Sequence, residues 1–147
     1  MLLIGAGNSG CDNAVDGVHP AVSVHMKVRG GYDFVPRYMF GRPSDTLNQG
    51  RPLPARIKQA VDSRVLRAFT GDPVRFGFPR PDYRIYESHT IVNTLILNHL
   101  GQGDLRIRPD IARFEGTTVH FRDGSADDYD LVLLATGYTL DYPFVDR

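Results

Sequence analysis

The opening residues MLLIGAGNSGCDNAV constrain the fold more tightly than any other stretch of the chain. Leu2, Leu3 and Ile4 are apolar without alternation, the pattern of a strand covered on both faces of a parallel sheet. Gly5, Gly7 and Gly10 follow in the spacing G-x-G-x-x-G. That spacing lets the backbone turn sharply out of a strand, approach a diphosphate without side chains in the way, and start a helix packed close to the strand. Residues 9–18 can form that helix, ended by Gly17 and Pro20. AVSVHMKV, residues 21–28, is valine-rich and alternates, as a second strand should. The three pieces make one βαβ unit, the context in which the glycine motif carries meaning.

The motif names the first candidate site. Backbone N–H groups at the helix start point toward an anion, the helix dipole favours negative charge there, and Ser9 adds a hydroxyl donor. A ribose-binding acid is expected about 20 residues beyond such a motif. Here those positions hold His25, Met26, Lys27, Val28 and Arg29, and no carboxylate occurs until Asp33. Arg29, helped by Lys27, suits a 2′-phosphate instead, so NADPH is expected over NADH.

Beyond the βαβ unit, residues 30–54 mix glycines, prolines and aromatics with no strand or helix period, and read as a long loop. Residues 55–69 place Ile57, Val61, Val65, Leu66 and Phe69 at helical spacing with arginines on the solvated face. After a second irregular stretch, HTIVNTLILNHLGQG reads as a helix ended by Gly101. The last third is β-rich: LRIR, then IARFEGTTVHF as a hairpin turning at Gly116, then the RDGS turn, then DLVLLATGY as a continuously apolar strand. The expected fold class is α/β, a Rossmann-like three-layer nucleotide-binding domain with a parallel sheet and an added β-hairpin or meander.

Composition narrows the function. The 147 residues suit a single domain, and 17 basic residues balance 17 acidic ones, so the broad positive field of a nucleic-acid binder is absent. Cys11 is the one cysteine, which excludes an intrachain disulfide and fits a reducing, cytoplasmic compartment. No apolar run approaches the roughly 20 residues of a membrane span. The histidines at 19, 25, 89, 99 and 120 share no metal-ligand spacing, so no metal site is expected. Ser9 lacks the closing glycine of a G-x-S-x-G elbow, and Cys11 behind the glycine turn reads as small core packing. No residue reads as a catalytic acid, base or nucleophile.

Three segments together resemble one family, the flavin-containing monooxygenases and their relatives among two-dinucleotide-domain flavoproteins. IGAGNSGCDNAV is similar to their second glycine motif, the one for NADPH; VRGGYDFVPRYMFGRPSD is similar to the stretch after the second strand; VHFRDGSADDYDLVLLATGY ends in their A-T-G-Y signature at Ala135, Thr136, Gly137 and Tyr138. The resemblance implies that Gly5, Gly7, Asn8, Ser9 and Gly10 contact the pyrophosphate, that Arg29 contacts the 2′-phosphate, and that Thr136 and Gly137 lie between two cofactors, NADPH and FAD. One departure is that Arg29 is followed by Gly30, where the family often carries a second basic residue. The resemblance also implies an FAD-binding glycine motif and an F-x-G-x-x-x-H signature ahead of the NADPH motif, and neither is expected in this chain. Residues 1–147 are therefore expected to be a single NAD(P)-binding domain, a fragment of a larger flavoprotein, with 135–147 starting the return to the FAD domain. The function so implied is the NADPH-binding part of a monooxygenase that oxygenates a small-molecule nitrogen or sulfur nucleophile, the fragment alone being inactive. Its partners would be that substrate and the FAD-binding segments of the same protein. A non-catalytic nucleotide-binding module and an NAD(P)H-dependent flavoprotein reductase are the alternatives.

Overall fold

A computed structural model describes residues 1–44, 54–85, 87–88 and 90–139. The later part of the long loop with Asp45, together with His89 and the expected return segment past Thr139, lies outside the described residues.

The chain runs β1 (Leu2–Ile4), α1 (Asn8–Gly17), β2 (Val24–Lys27), β3 (Tyr38–Met39), β4 (Arg42–Pro43), α2 (Ala55–Thr70), α3 (Leu95–Gln102), β5 (Leu105–Arg108), β6 (Ile111–Glu115), β7 (Thr118–Phe121), β8 (Ala126–Asp128) and β9 (Val132–Leu134). A parallel sheet in the order β5-β2-β1-β9 carries the molecule. Its register aligns Ile4 with Lys27 on one side and with Leu134 on the other, so the C-terminal ends of three strands finish level.

The alternation of β1 divides the core in two. Leu3 joins Val24, Met26 and Leu105 under α1 and α3, with Cys11, Ala14, Ile96 and Leu97 facing them. Leu2 faces the other way, onto Val119, Phe121 and Tyr129 of the antiparallel β6-β7-β8 meander and the residue after it. Both leucines are fully buried. Helices, parallel sheet and meander form the three layers that the sequence predicts, and Cys11 is the core residue expected, its thiol pushed up to about 12 by burial and the Asp12 charge.

Three elements differ from expectation. The apolar segment 89–103 forms a helix only from Leu95, because Ile91 instead makes a parallel bridge to Phe34 and is fully buried, with Phe34 stacked edge-on against Phe78 at 5.0 Å. Gly103, left-handed at φ 87°, ends the helix in place of Gly101. The long loop contains a minimal hairpin, β3 and β4, closed by Phe40 and Gly41, both at positive φ as a two-residue hairpin turn requires. Helix α2 buries only Leu66 of its five expected core residues and leaves Ile57, Val61 and Phe69 exposed. The helix instead meets loop residues: Gln59 donates to the Ile85 carbonyl at 3.2 Å, and Phe69 lies edge-on to Phe40 at 5.5 Å.

A polar pin joins the parallel sheet to the meander. His25 Nδ1 lies 2.6 Å from the Tyr129 hydroxyl and 3.9 Å from Asp127 Oδ2. Burial, against the opposing charge of Arg108, holds the Tyr129 phenol up at about 12. Burial, then the charges of Arg108, the terminal amine and Arg106, push the His25 imidazole below its ordinary value against the opposing pull of Asp127. An unfolded histidine titrates near 6.5, so the unfolded chain takes up this proton first as pH falls. The stability that His25 contributes is present above about pH 6.5 and lost as pH falls through it. Thermal melts between about pH 8 and pH 5.5 are expected to show a falling Tm, with a smaller fall in His25→Gln.

Candidate functional site

A cleft of ≈ 410 Å³ opens where the ends of β1, β2 and β9 meet. It gathers the sequence-predicted residues Gly5, Gly7, Asn8, Ser9, Gly10, Lys27, Arg29, Thr136 and Gly137 into one wall, although more than a hundred positions separate the first from the last.

The glycine turn is shaped by its neighbours. Gly5 adopts φ 112°, and a Cβ there would stand 2.2 Å from the Ala135 carbonyl oxygen. A Cβ at Gly10 would stand 2.4 Å from the Gly5 carbonyl oxygen and 3.3 Å from the Ala135 side chain. The glycine motif and the A-T-G-Y segment are therefore packed against each other, and Ala135 N–H donates to the Ile4 carbonyl at 2.8 Å just before that contact. Gly7 is different. Its added Cβ would meet nothing within 4 Å, because the position faces the cleft. Gly7 is also the N-cap of α1 and makes no side-chain cap bond, so the helix starts without a capping side chain at that position.

Asn8 works partly from behind. Its Oδ1 accepts from the Val92 N–H at 2.9 Å, and nearby Asn93 Nδ2 donates to Asp12 Oδ1 at 2.7 Å. These bonds tie the start of α1 to the segment leading into α3. Ser9 is exposed at the cleft mouth, as are Arg29, Thr136 and Gly137. Tyr32, half-buried and three residues after Arg29, is one of the loop aromatics suited to covering a cofactor, and it lines the same cleft.

Lys27 lines the cleft, yet its Nζ is held at 2.8 Å by Asp110 Oδ1. That hydrogen bond and the ammonium charge hold the Asp110 carboxyl below its usual range. Sequence spacing could not locate this carboxylate, because Asp110 reaches the end of β2 through the pairing of β2 with β5.

Against the expectation that the signature does not occur in this chain, the letters F-x-G-x-x-x-H run from Phe114 to His120, where they form the β6–β7 hairpin with Gly116 at the turn at φ 61°. Among the described residues no cluster of three metal-ligating side chains occurs, and no helix is long and apolar enough to cross a membrane.

A parallel sheet with its glycine turn at the C-terminal edge, helices on one face and a meander on the other defines a Rossmann-like α/β protein. Within that class the chain belongs to the flavin-binding monooxygenase-like family, whose model matches residues 1–147. It is 32% identical over 155 residues to flavin-containing monooxygenase 5 of Oryctolagus cuniculus, covering 99% of this chain and 29% of that protein. It is 31% identical over 153 residues to indole-3-pyruvate monooxygenase YUCCA4 of Oryza sativa subsp. japonica, covering 98% of this chain and 35% of that protein. YUCCA8 of Oryza sativa subsp. indica is 29% identical over 151 residues, covering 97% of this chain and 36% of that protein. The chain thus spans roughly a third of the length of these curated relatives.

The two inner glycines should separate in a stability measurement. Gly10→Ala is expected to cost about 1–3 kcal/mol, since its Cβ must displace backbone. Gly7→Ala, at φ −67° in open space, is expected to stay within about 1 kcal/mol of the parent. Urea denaturation of both variants checks this.

Proposed function

We propose that this chain is the NADPH-binding part of a flavin-dependent monooxygenase. The observation that carries the reading is the geometry around Gly7: a helix that starts at a glycine with open space beside it, in a cleft that also has Arg29 on its rim. The N–H groups of Ser9 and Gly10 and the α1 dipole would hold the pyrophosphate, with the Ser9 hydroxyl as a further donor. A Cβ at position 7 would occupy the space that the phosphates need. Arg29 would hold the 2′-phosphate, and a hydrogen bond to a charged group of this kind contributes about 1.5–3 kcal/mol.

Bound NADPH supplies a hydride, and the work of this chain's residues is to bind and orient it. The 147 residues contain a single G-x-G-x-x-G. The FAD contacts are therefore assigned to further polypeptide, and no chemical step of the flavin is derived from the residues at hand. Thr136 and Gly137, exposed at the end of β9, would face the space between the two cofactors. The substrate of the whole enzyme would be a small molecule oxygenated at a soft nitrogen or sulfur atom, in a cytoplasmic setting.

Fluorescence titration of the chain with NADPH and NADH tests the reading. Tighter binding of NADPH is expected, and Arg29→Ala should erode the preference about tenfold or more. Equal affinities in the parent chain would refute the assignment of Arg29, and no binding of either nucleotide would refute the function.

A further inference from the structure

The end of β2 carries no acid in the sequence, yet the fold delivers one. β5 is the other parallel neighbour of β2, and Lys27 stands in register with Arg108, the last residue of β5. Asp110 follows two residues later, where its carbonyl accepts from the Arg122 N–H at 2.8 Å and extends the β6–β7 pairing beyond Ile111 and Phe121. From there its carboxylate meets the Lys27 ammonium at 2.8 Å. The Lys27 side chain is only 17% exposed while that of Asp110 is 56% exposed, so the lysine stem forms cleft wall and the carboxylate stands at the outside. The nearby Arg108 is engaged elsewhere, paired with Asp127 and lying 4.4 Å over the Phe121 ring.

We propose that Asp110 is a specificity-determining residue for the nucleotide: by holding the Lys27 ammonium, it withholds a second cation from a 2′-phosphate and leaves Arg29 to read that group. The inference rests on the reading of the cleft as an NADPH site. A 2′-phosphate entering beside Lys27 meets an ammonium whose charge is already countered at contact distance, and a carboxylate that repels it. The ordinary way to favour a bare ribose is an acid at the end of the second strand. Here a distant acid acts on the same position from the neighbouring strand, so this chain's preference for the phosphorylated cofactor is held below what Lys27 and Arg29 together would give.

Calorimetric titration with 2′,5′-ADP and 5′-AMP isolates the phosphate. Asp110→Asn is expected to tighten 2′,5′-ADP about three- to tenfold at low salt, the pair being partly solvent-exposed, and to change 5′-AMP by less than about twofold. The gain should shrink at high salt, and it should vanish in the double variant Lys27→Met with Asp110→Asn. Thermal melts run beside each titration show that the variants are folded, with Asp110→Ser as the substitute if Asn is not. Unchanged or weaker 2′,5′-ADP binding in a folded Asp110 variant, while the parent still binds it, overturns the inference alone. Failure of the parent and every variant to bind either probe overturns the NADPH reading and this inference with it.

Discussion

The parallel pairing of β1 with both β2 and β9 is the constraint on which the rest of the molecule depends. Three residues, Leu2 to Ile4, align two other strands so that all three end at one level. Their side chains divide between two buried clusters, so the same short strand seats the helices on one face and the meander on the other. Gly5 then inherits a crowded position, pressed under the Ala135 carbonyl, where only a residue without a Cβ and with access to φ 112° fits. What looks in sequence like a motif for a ligand is first a solution to packing, and the open side of the turn at Gly7 is what remains for function.

The charged residues around the cleft follow the same division. Lys27 and Arg29 sit two positions apart on and just after β2, yet Lys27 is bound into the sheet's edge by Asp110 while Arg29 reaches solvent. His25, two residues earlier on the same face, is turned to Tyr129 and Asp127 and helps hold the meander. A single alternating face of β2 therefore passes from a structural pin, through an internal ion pair, to an exposed cation.

Much of this was legible in the sequence for a physical reason: the βαβ unit and the meander are built from contacts close along the chain, with glycine spacing and strand alternation marking each turn. The glycine turn, Lys27 and Arg29 are read from local pattern and the A-T-G-Y segment from the family resemblance, and they line one cleft. Three features were not legible. Asp110 depends on which strands become neighbours, which periodicity does not encode. The apolar run before α3 read as helix because its composition is ambiguous, and Ile91 is extended only because Phe34 is there to pair with it. Helix α2 shows the apolar spacing of a buried face, but Ile57, Val61 and Phe69 are left exposed, and spacing alone does not tell whether a partner covers such a face.

The contact between Gly5 and Ala135 also sets a timetable. β1 is the first and β9 the last element of the described chain, so the strand pair that completes the cleft closes one of the longest loops in the fold. Until that late strand arrives, Leu2 and Leu3 lack one of their two neighbours, and nascent polypeptide has no finished pocket for a nucleotide to recognise.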